Sequence, residues 1–337
     1  WFRQDLRLKD NPALHAAHES GAQIIPLFIL DDINAGDWAP GGASRWWMYH
    51  SLKALNADLD DALIIEKGDA AEILPKLAKE LGISHIYWNR CYEPWRINRD
   101  KTIKNELDTL DINVSSYNGN LLYEPWNCLK DDNTPYMVFT PFYKKGCWAR
   151  NGDPAAPLPA PENLNLAKLD NVGCTIDDLD LLPEIRWDKK LEQYWDIGEK
   201  GALKRLESFL DTQLHNYKEG RNNPDEEYVS RLSPRCHWGE LSPRVAWHAV
   251  RTRMAEDSSL EKSGWHFLSE LCWREFSYNQ LYYLPDLTHE PMQEKFKDFP
   301  WREDADGLKA WQHGKTGYPI VDAAMRQLWE EGYMHNR

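Results

Sequence analysis

Short apolar runs alternate with helix-period segments over the first third of the chain, and the alternation stops near residue 125. Residues 24–30 are apolar at every position, the pattern of a parallel strand buried on both faces. Shorter strands are predicted at 62–65, 85–88 and 112–117, and Trp1-Phe2 reads as the last residues of a first strand. Helices are predicted between them at 43–59, 69–81 and 94–110. Asn11-Pro12 has the form of a helix cap and first helical residue; Gly21 closes that helix and Gly82 stops another. Strands and helices in this order build a doubly wound, mostly parallel α/β sheet.

The pattern then changes twice. The stretch 151–197 opens with Asp153-Pro154, Pro157, Pro159 and Pro161 and continues acidic and weakly periodic, as a connector does. From 198 onward the period is helical, with helices predicted at 199–216, 243–255, 260–284 and 319–332 and no strand pattern of any length. The expected layout is an α/β domain over 1–125, a linker over 126–197 and an all-α domain over 198–337, without internal repeats.

Composition narrows the function classes. No run approaches the roughly 20 apolar residues of a membrane span. The cysteines at 91, 128, 147, 174, 236 and 272 form no CxxC pair and the histidines no HExxH, so neither a disulfide framework nor a metal site is expected. Free thiols fit an intracellular protein, cytoplasmic in a bacterium, and a monomer is expected. The net charge of −14 argues against nucleic acid, but 228–253 holds Arg231, Arg235, Arg244, Arg251 and Arg253 against one acid, Glu240. That local stripe reads equally as a phosphate contact or as a solvated helix face. The absence of GxGxxG after the first strand, and of GxxxxGK[ST] anywhere, disfavours dehydrogenases and P-loop enzymes. The 17 tryptophans invite a function that uses rings, although most will be core.

Several blocks, in order along the chain, carry a resemblance. Trp1-Phe2-Arg3-Gln4-Asp5-Leu6-Arg7-Leu8 with Asp10-Asn11-Pro12-Ala13-Leu14, Phe139-Thr140-Pro141-Phe142, Ser230-Arg231-Leu232-Ser233-Pro234, Gly239-Glu240-Leu241-Ser242-Pro243-Arg244, Trp273-Arg274-Glu275-Phe276, and Gly314 to Arg326 followed by Met334-His335-Asn336-Arg337 together resemble the photolyase–cryptochrome family. The resemblance implies an FAD-binding helical domain and light-driven repair of cyclobutane pyrimidine dimers. One electron would pass from photoexcited reduced FAD to a dimer flipped out of damaged DNA. A cryptochrome-type photoreceptor without repair activity is the alternative; the ending that contains Asn336 resembles the dimer-repair form.

By the same resemblance FAD is held by Tyr217, by Val229, Ser230, Arg231, Leu232 and Ser233, and by Arg274 and Asn336. Val229 stands where the family usually has threonine, which removes a hydroxyl. Trp273 and Glu270 would form the dimer pocket and touch DNA, while Arg221 and Arg337 would hold flanking phosphates. Asn336 would lie between flavin and dimer, and Trp301 would be the surface end of a tryptophan electron chain. A second antenna chromophore is implied, of folate or deazaflavin type, and the segment from Asn89 to Trp95 does not decide between them. Members of the family continue past the position of Arg337, so an incomplete helical domain that by itself holds FAD weakly or not at all is expected.

Overall fold

The computed structural model describes residues 1–169 and 171–336. The first domain runs α1 (Pro12–Glu19), β1 (Leu27–Leu30), α2 (Gly42–Asp58), β2 (Ile64–Lys67), α3 (Ala70–Glu80), β3 (His85–Asn89), α4 (Pro94–Thr109) and β4 (Asn113–Tyr117). β1 pairs with β2 and β3 with β4, both in parallel. The Trp1-Phe2 stub joins the two ladders: Phe2 bridges Phe28, and the Trp1 amine donates to the Tyr87 carbonyl at 2.9 Å. The order across the layer is therefore β2, β1, stub, β3, β4, with the first strand central, as in doubly wound folds. Alternate side chains of β1 enter opposite cores. Phe28 and Leu30 pack with Leu14 of α1 and with Trp46 and Leu52 of α2; Leu27 and Ile29 pack with Leu74 of α3 and Ile103 of α4.

The predicted strand at 24–30 is shorter than expected, and Pro26 explains it. Proline has no N–H for a ladder, and the chain before it turns to a different neighbour. Ile24 bridges Leu166, accepting from Ala167 N–H and donating to the Asn165 carbonyl, each at 2.8 Å.

The second half contains α5 (Glu199–Thr212), α6 (Tyr217–Gly220), α7 (Ser233–Trp238), α8 (Pro243–Glu256), α9 (Glu261–Tyr283), α10 (Ala305–Gln312) and α11 (Pro319–Glu331). The predicted 199–216 helix breaks after Thr212 into a tight turn, Leu214–Asn216, and resumes as α6. The connecting segment belongs to both cores. Leu179, Leu181 and Leu191 pack into the α/β domain, while Tyr136, Phe142 and Cys147 pack with Phe209, Trp247 and Leu268. Its stretch 139–149 is helical, which the proline-rich composition further on did not suggest.

Two of the sequence blocks meet at the seam between the halves. Leu6 N–H donates to Trp238 O at 3.2 Å, Arg7 Nη1 to Gly239 O at 2.9 Å, and Arg244 pairs with Asp10 at 2.8 Å. Gly239 sits at φ +70°, and a Cβ there would stand 2.0 Å from the Gln4 carbonyl oxygen, so the close approach requires glycine. Beside it Glu240 is buried and accepts from Trp47 Nε1 at 2.9 Å, Gly198 N–H at 3.0 Å and the Ser51 hydroxyl. The Gly239–Arg244 block thus builds the domain seam, and the loop before it is what remains for a ligand.

Candidate functional site

α9 organises the site. His266, Glu270 and Trp273 fall at i, i+4 and i+7, which puts them on one helical face. Trp273 is 45% exposed, unusual for an indole on a helix whose other face is core. One of its faces is covered: Phe139 of the connecting segment stacks on it with centroids 3.7 Å apart and planes 10° apart, and Phe276 meets its edge at 5.8 Å. The result is a rigid aromatic platform made by two of the sequence blocks, 134 residues apart by position. A polar group stands one turn earlier. Glu270 is ion-paired with Arg221, and His266 Nε2 lies 4.0 Å from its Oε1.

Tyr217, at the start of α6, is buried between Phe209, Phe267 and His266, with Arg221 over its ring at 5.4 Å. The structure thus brings Tyr217, Arg221, Glu270 and Trp273 into one neighbourhood. Arg221, expected on a DNA phosphate, is 5% exposed; its guanidinium pairs with Glu270 and donates to His266 Nε2 at 3.3 Å.

The loop 229–233 lies against the C-terminal end of α11. Arg231, at φ +54°, pairs with Glu331 at 2.9 Å and lies over the Tyr333 ring at 5.2 Å. Arg205 clamps the loop from behind, donating to Ser230 O at 2.8 Å and Val229 O at 2.9 Å. Leu232 is buried, which anchors the loop, while Ser233 is exposed at the start of α7. With both carbonyls turned to Arg205, the N–H groups of Val229, Ser230, Arg231 and Ser233 have no protein acceptor among the described residues. Peptide N–H groups beside two serine hydroxyls are the donor set a diphosphate needs, so these residues fit the phosphates of FAD. The loss of a hydroxyl at Val229 leaves that backbone set intact.

Other expected residues lie elsewhere. Arg274 is drawn into the seam: it donates to Asn120 O at 2.7 Å, pairs with Glu275 at 3.1 Å and sits 4.9 Å over the Tyr278 ring. Asn336 is exposed, just beyond Tyr333 and the loop contacts of α11. Trp301 is 78% exposed and packs only on Phe299 among the ring contacts of the described residues. Arg337 lies outside the described residues. The arginine stripe is fully paired: Arg231 with Glu331, Arg235 with Glu240, Arg244 with Asp10, Arg251 with Asp153, and Arg253 with Glu207 and Asp211. Its net positive charge is local to the sequence and is neutralised in space.

Three contributors were not foreseen. Phe139 was visible as part of a motif, but its stacking role needs tertiary contact. His266 could have been found as the i−4 neighbour of Glu270. Glu275 is buried on the opposite side of α9 from Trp273 and accepts from Leu122 N–H at 2.8 Å and Tyr123 N–H at 3.3 Å. Burial pushes its carboxyl up to about 7 against the pull of Arg274 and of the two N–H donors.

A separate crevice of about 510 Å³ opens at the C-terminal ends of β1 and the stub. Trp38, Trp95 and His289 supply rings there, while Arg96 is paired with Glu93 and Arg99 with Asp31 and Asp100. In open α/β sheets this position, where strand order reverses, is where ligands bind. No helix is long and apolar enough to cross a membrane, and no metal-ligand cluster is present, among the described residues.

Comparison with known proteins adds the following. Residues 1–162 match the family model "DNA photolyase", and 267–337 match "FAD binding domain of DNA photolyase". The chain is 41% identical over its whole length to a deoxyribodipyrimidine photo-lyase of Agrobacterium fabrum, spanning 70% of that protein. It is 35% identical to cryptochrome-2 of Arabidopsis thaliana, spanning 57% of it. A crystal structure of a bacterial class III photolyase from Agrobacterium tumefaciens superposes with a TM-score of 0.91 at 40% identity, covering all of this chain and 69% of that one.

Proposed function

Because the chain belongs to the DNA photolyase–cryptochrome family, we propose that it is the FAD- and DNA-binding part of a light-driven enzyme that splits cyclobutane pyrimidine dimers. The observation that carries this reading is the half-exposed Trp273, backed by Phe139 and flanked by Glu270. A pyrimidine dimer inside a duplex is out of reach of a buried flavin and must be flipped into a pocket, at a cost lowered by its weakened pairing. A fixed indole offers an apolar wall for the dimer, and the Glu270 carboxylate offers an acceptor for a pyrimidine N–H. A photoreceptor that binds no dimer needs neither group.

When bound, reduced FAD would supply the single electron whose transfer opens the cyclobutane ring. The chain's own residues do the rest. The 229–233 loop would hold the phosphates, Phe139 keeps the platform rigid and dry on one side, and Asn336 would contribute between the two ligands. Trp301, with its exposed indole, is the place where an electron from solution enters. Arg337 holds a flanking phosphate. A second chromophore, folate or deazaflavin in type, would be held in the crevice of Trp38, Trp95 and His289, where a flat ring system finds stacking partners.

The test is equilibrium binding by the complete gene product to oligonucleotides with and without a single thymine dimer. Damaged DNA is expected to bind more tightly. Trp273→Ala is expected to remove about tenfold or more of that preference, since stacking on an aromatic is worth about 1–3 kcal/mol per base. Equal affinity of the parent protein for both oligonucleotides would overturn the reading.

A further inference from the structure

We propose that Arg205 is a positioning residue for the flavin phosphates: its guanidinium holds two carbonyls of the 229–233 loop, so that the N–H side of the same peptides faces the diphosphate. The inference rests on the reading of that loop as the FAD phosphate site and adds the group that sets its geometry.

Arg205 stands on a rigid element. Ala202, Leu206, Phe209 and Leu210 anchor α5 in the helical core, and Arg205 is half-buried at the edge of that face. One turn on, Phe209 meets the Tyr217 ring edge-on at 5.5 Å. The same side of α5 therefore places both Tyr217 and the loop.

The direction of the loop's donors follows from peptide geometry. Arg205 Nε donates to Ser230 O at 2.8 Å and Nη2 to Val229 O at 2.9 Å. No described peptide is cis, and in a trans peptide the C=O and N–H point opposite ways. Fixing the Val229 and Ser230 carbonyls thus turns the N–H groups of Ser230 and Arg231 to the far side of the loop. Left-handed Arg231 is followed by right-handed Leu232, with φ +54° and −92°, a succession that gathers neighbouring N–H groups around one anion-sized concavity.

The charge of Arg205 is not matched elsewhere. Among the described residues no carboxylate forms an ion pair with it, and burial, followed by the charge of Arg231, holds its pKa below the ordinary arginine value. A cation on the carbonyl side polarises both peptides and makes their N–H groups better donors. Without it either peptide plane is free to turn and present an oxygen to the phosphates. A loop already held in the binding orientation also loses less freedom when the ligand arrives.

The test titrates the flavin-free complete gene product with FAD and with riboflavin, which has the ring system but no phosphate. The proteins are the parent, Arg205→Met, Arg205→Lys, and Ser230→Ala combined with Ser233→Ala. If Arg205 sets the loop, Arg205→Met weakens FAD binding about tenfold, the typical worth of a charge-assisted hydrogen bond, and leaves riboflavin binding as in the parent. Arg205→Lys keeps the charge but not the two-pronged fork, and its FAD affinity falls between the two. FAD held as tightly by Arg205→Met as by the parent overturns the proposal. So does an equal loss for FAD and riboflavin, which would make Arg205 a support of the whole domain. Should Arg205→Met fail to fold, Arg205→Lys decides by the same comparison: a loss confined to FAD supports the proposal, and no loss or an equal loss overturns it. Weakened FAD binding in the serine variant with none in Arg205→Met refutes this inference alone; a serine variant that binds FAD like the parent removes the loop reading and this inference with it.

Discussion

Replacing Glu275 by glutamine isolates the electrostatics of the buried face of α9, where Leu122 and Tyr123 meet it. The side chain is 3% exposed, and burial raises its carboxyl from the ordinary 4.5 to about 7. In the unfolded chain the group ionises near its ordinary value, so between about pH 4.5 and 7 the folded state holds a proton that the unfolded state has lost. Stability from this group is therefore complete below pH 4.5, falls as pH rises through that window, and is flat above it. One pKa step is worth about 1.4 kcal/mol, so the fall amounts to roughly 3 kcal/mol. Glutamine keeps an oxygen to accept from the Leu122 and Tyr123 N–H groups but never ionises. Urea unfolding of parent and Glu275→Gln at intervals from pH 5 to 8 reads the difference directly, with the slope m checked for constancy. The variant is expected to gain on the parent by roughly 2–3 kcal/mol across that range. A gap that stays constant, or that widens in the parent's favour as pH rises, would show that Arg274 and the two N–H donors outweigh burial, and the reasoning would be wrong.

Further expectations follow from other contacts. Gly239→Ala drives a Cβ to within 2.0 Å of the Gln4 carbonyl at a left-handed position, and is expected to cost about 3 kcal/mol in urea unfolding by splaying the seam; a loss below about 1 kcal/mol would mean the seam yields freely. Ser230→Ala with Ser233→Ala is expected to weaken FAD binding by the complete gene product about tenfold or more, measured by flavin fluorescence, with an unchanged circular dichroism spectrum; unchanged affinity would move the diphosphate away from this loop.

Most of the α/β half could be read from the chain because buried parallel strands and amphipathic helices leave strong local patterns. The one shortened strand traces to Pro26, whose missing N–H ends the ladder and hands Ile24 to the segment at Leu166. In the helical half, the ends of α8, α9 and α11 fall within a residue or two of the apolar periodicity, while the break after Thr212 is not marked by any proline or glycine. Site legibility was uneven for a physical reason. Motifs identify residue types, and helical spacing places Glu270 and Trp273 on one face, but the partner of each charge is a tertiary fact. Arg221 with Glu270, Arg274 with Asn120, and Arg231, Arg244, Arg251 and Arg253 with their acids all show charge settled across distant segments. The Gly239–Arg244 block is the clearest case: no local pattern announces that its Gly239 and Ser242 close against Gln4 and Asp10.

The central claim is that a dimer seated on Trp273 is opened by light. Blue-light irradiation of a thymine-dimer oligonucleotide with the complete gene product carrying reduced FAD, followed by chromatography of the products, addresses it most directly. The dimer should convert to two intact thymines in the light and persist in the dark, and Trp273→Ala should slow the conversion. Dimer left intact after illumination of a protein that is flavin-loaded and binds the oligonucleotide would contradict the account.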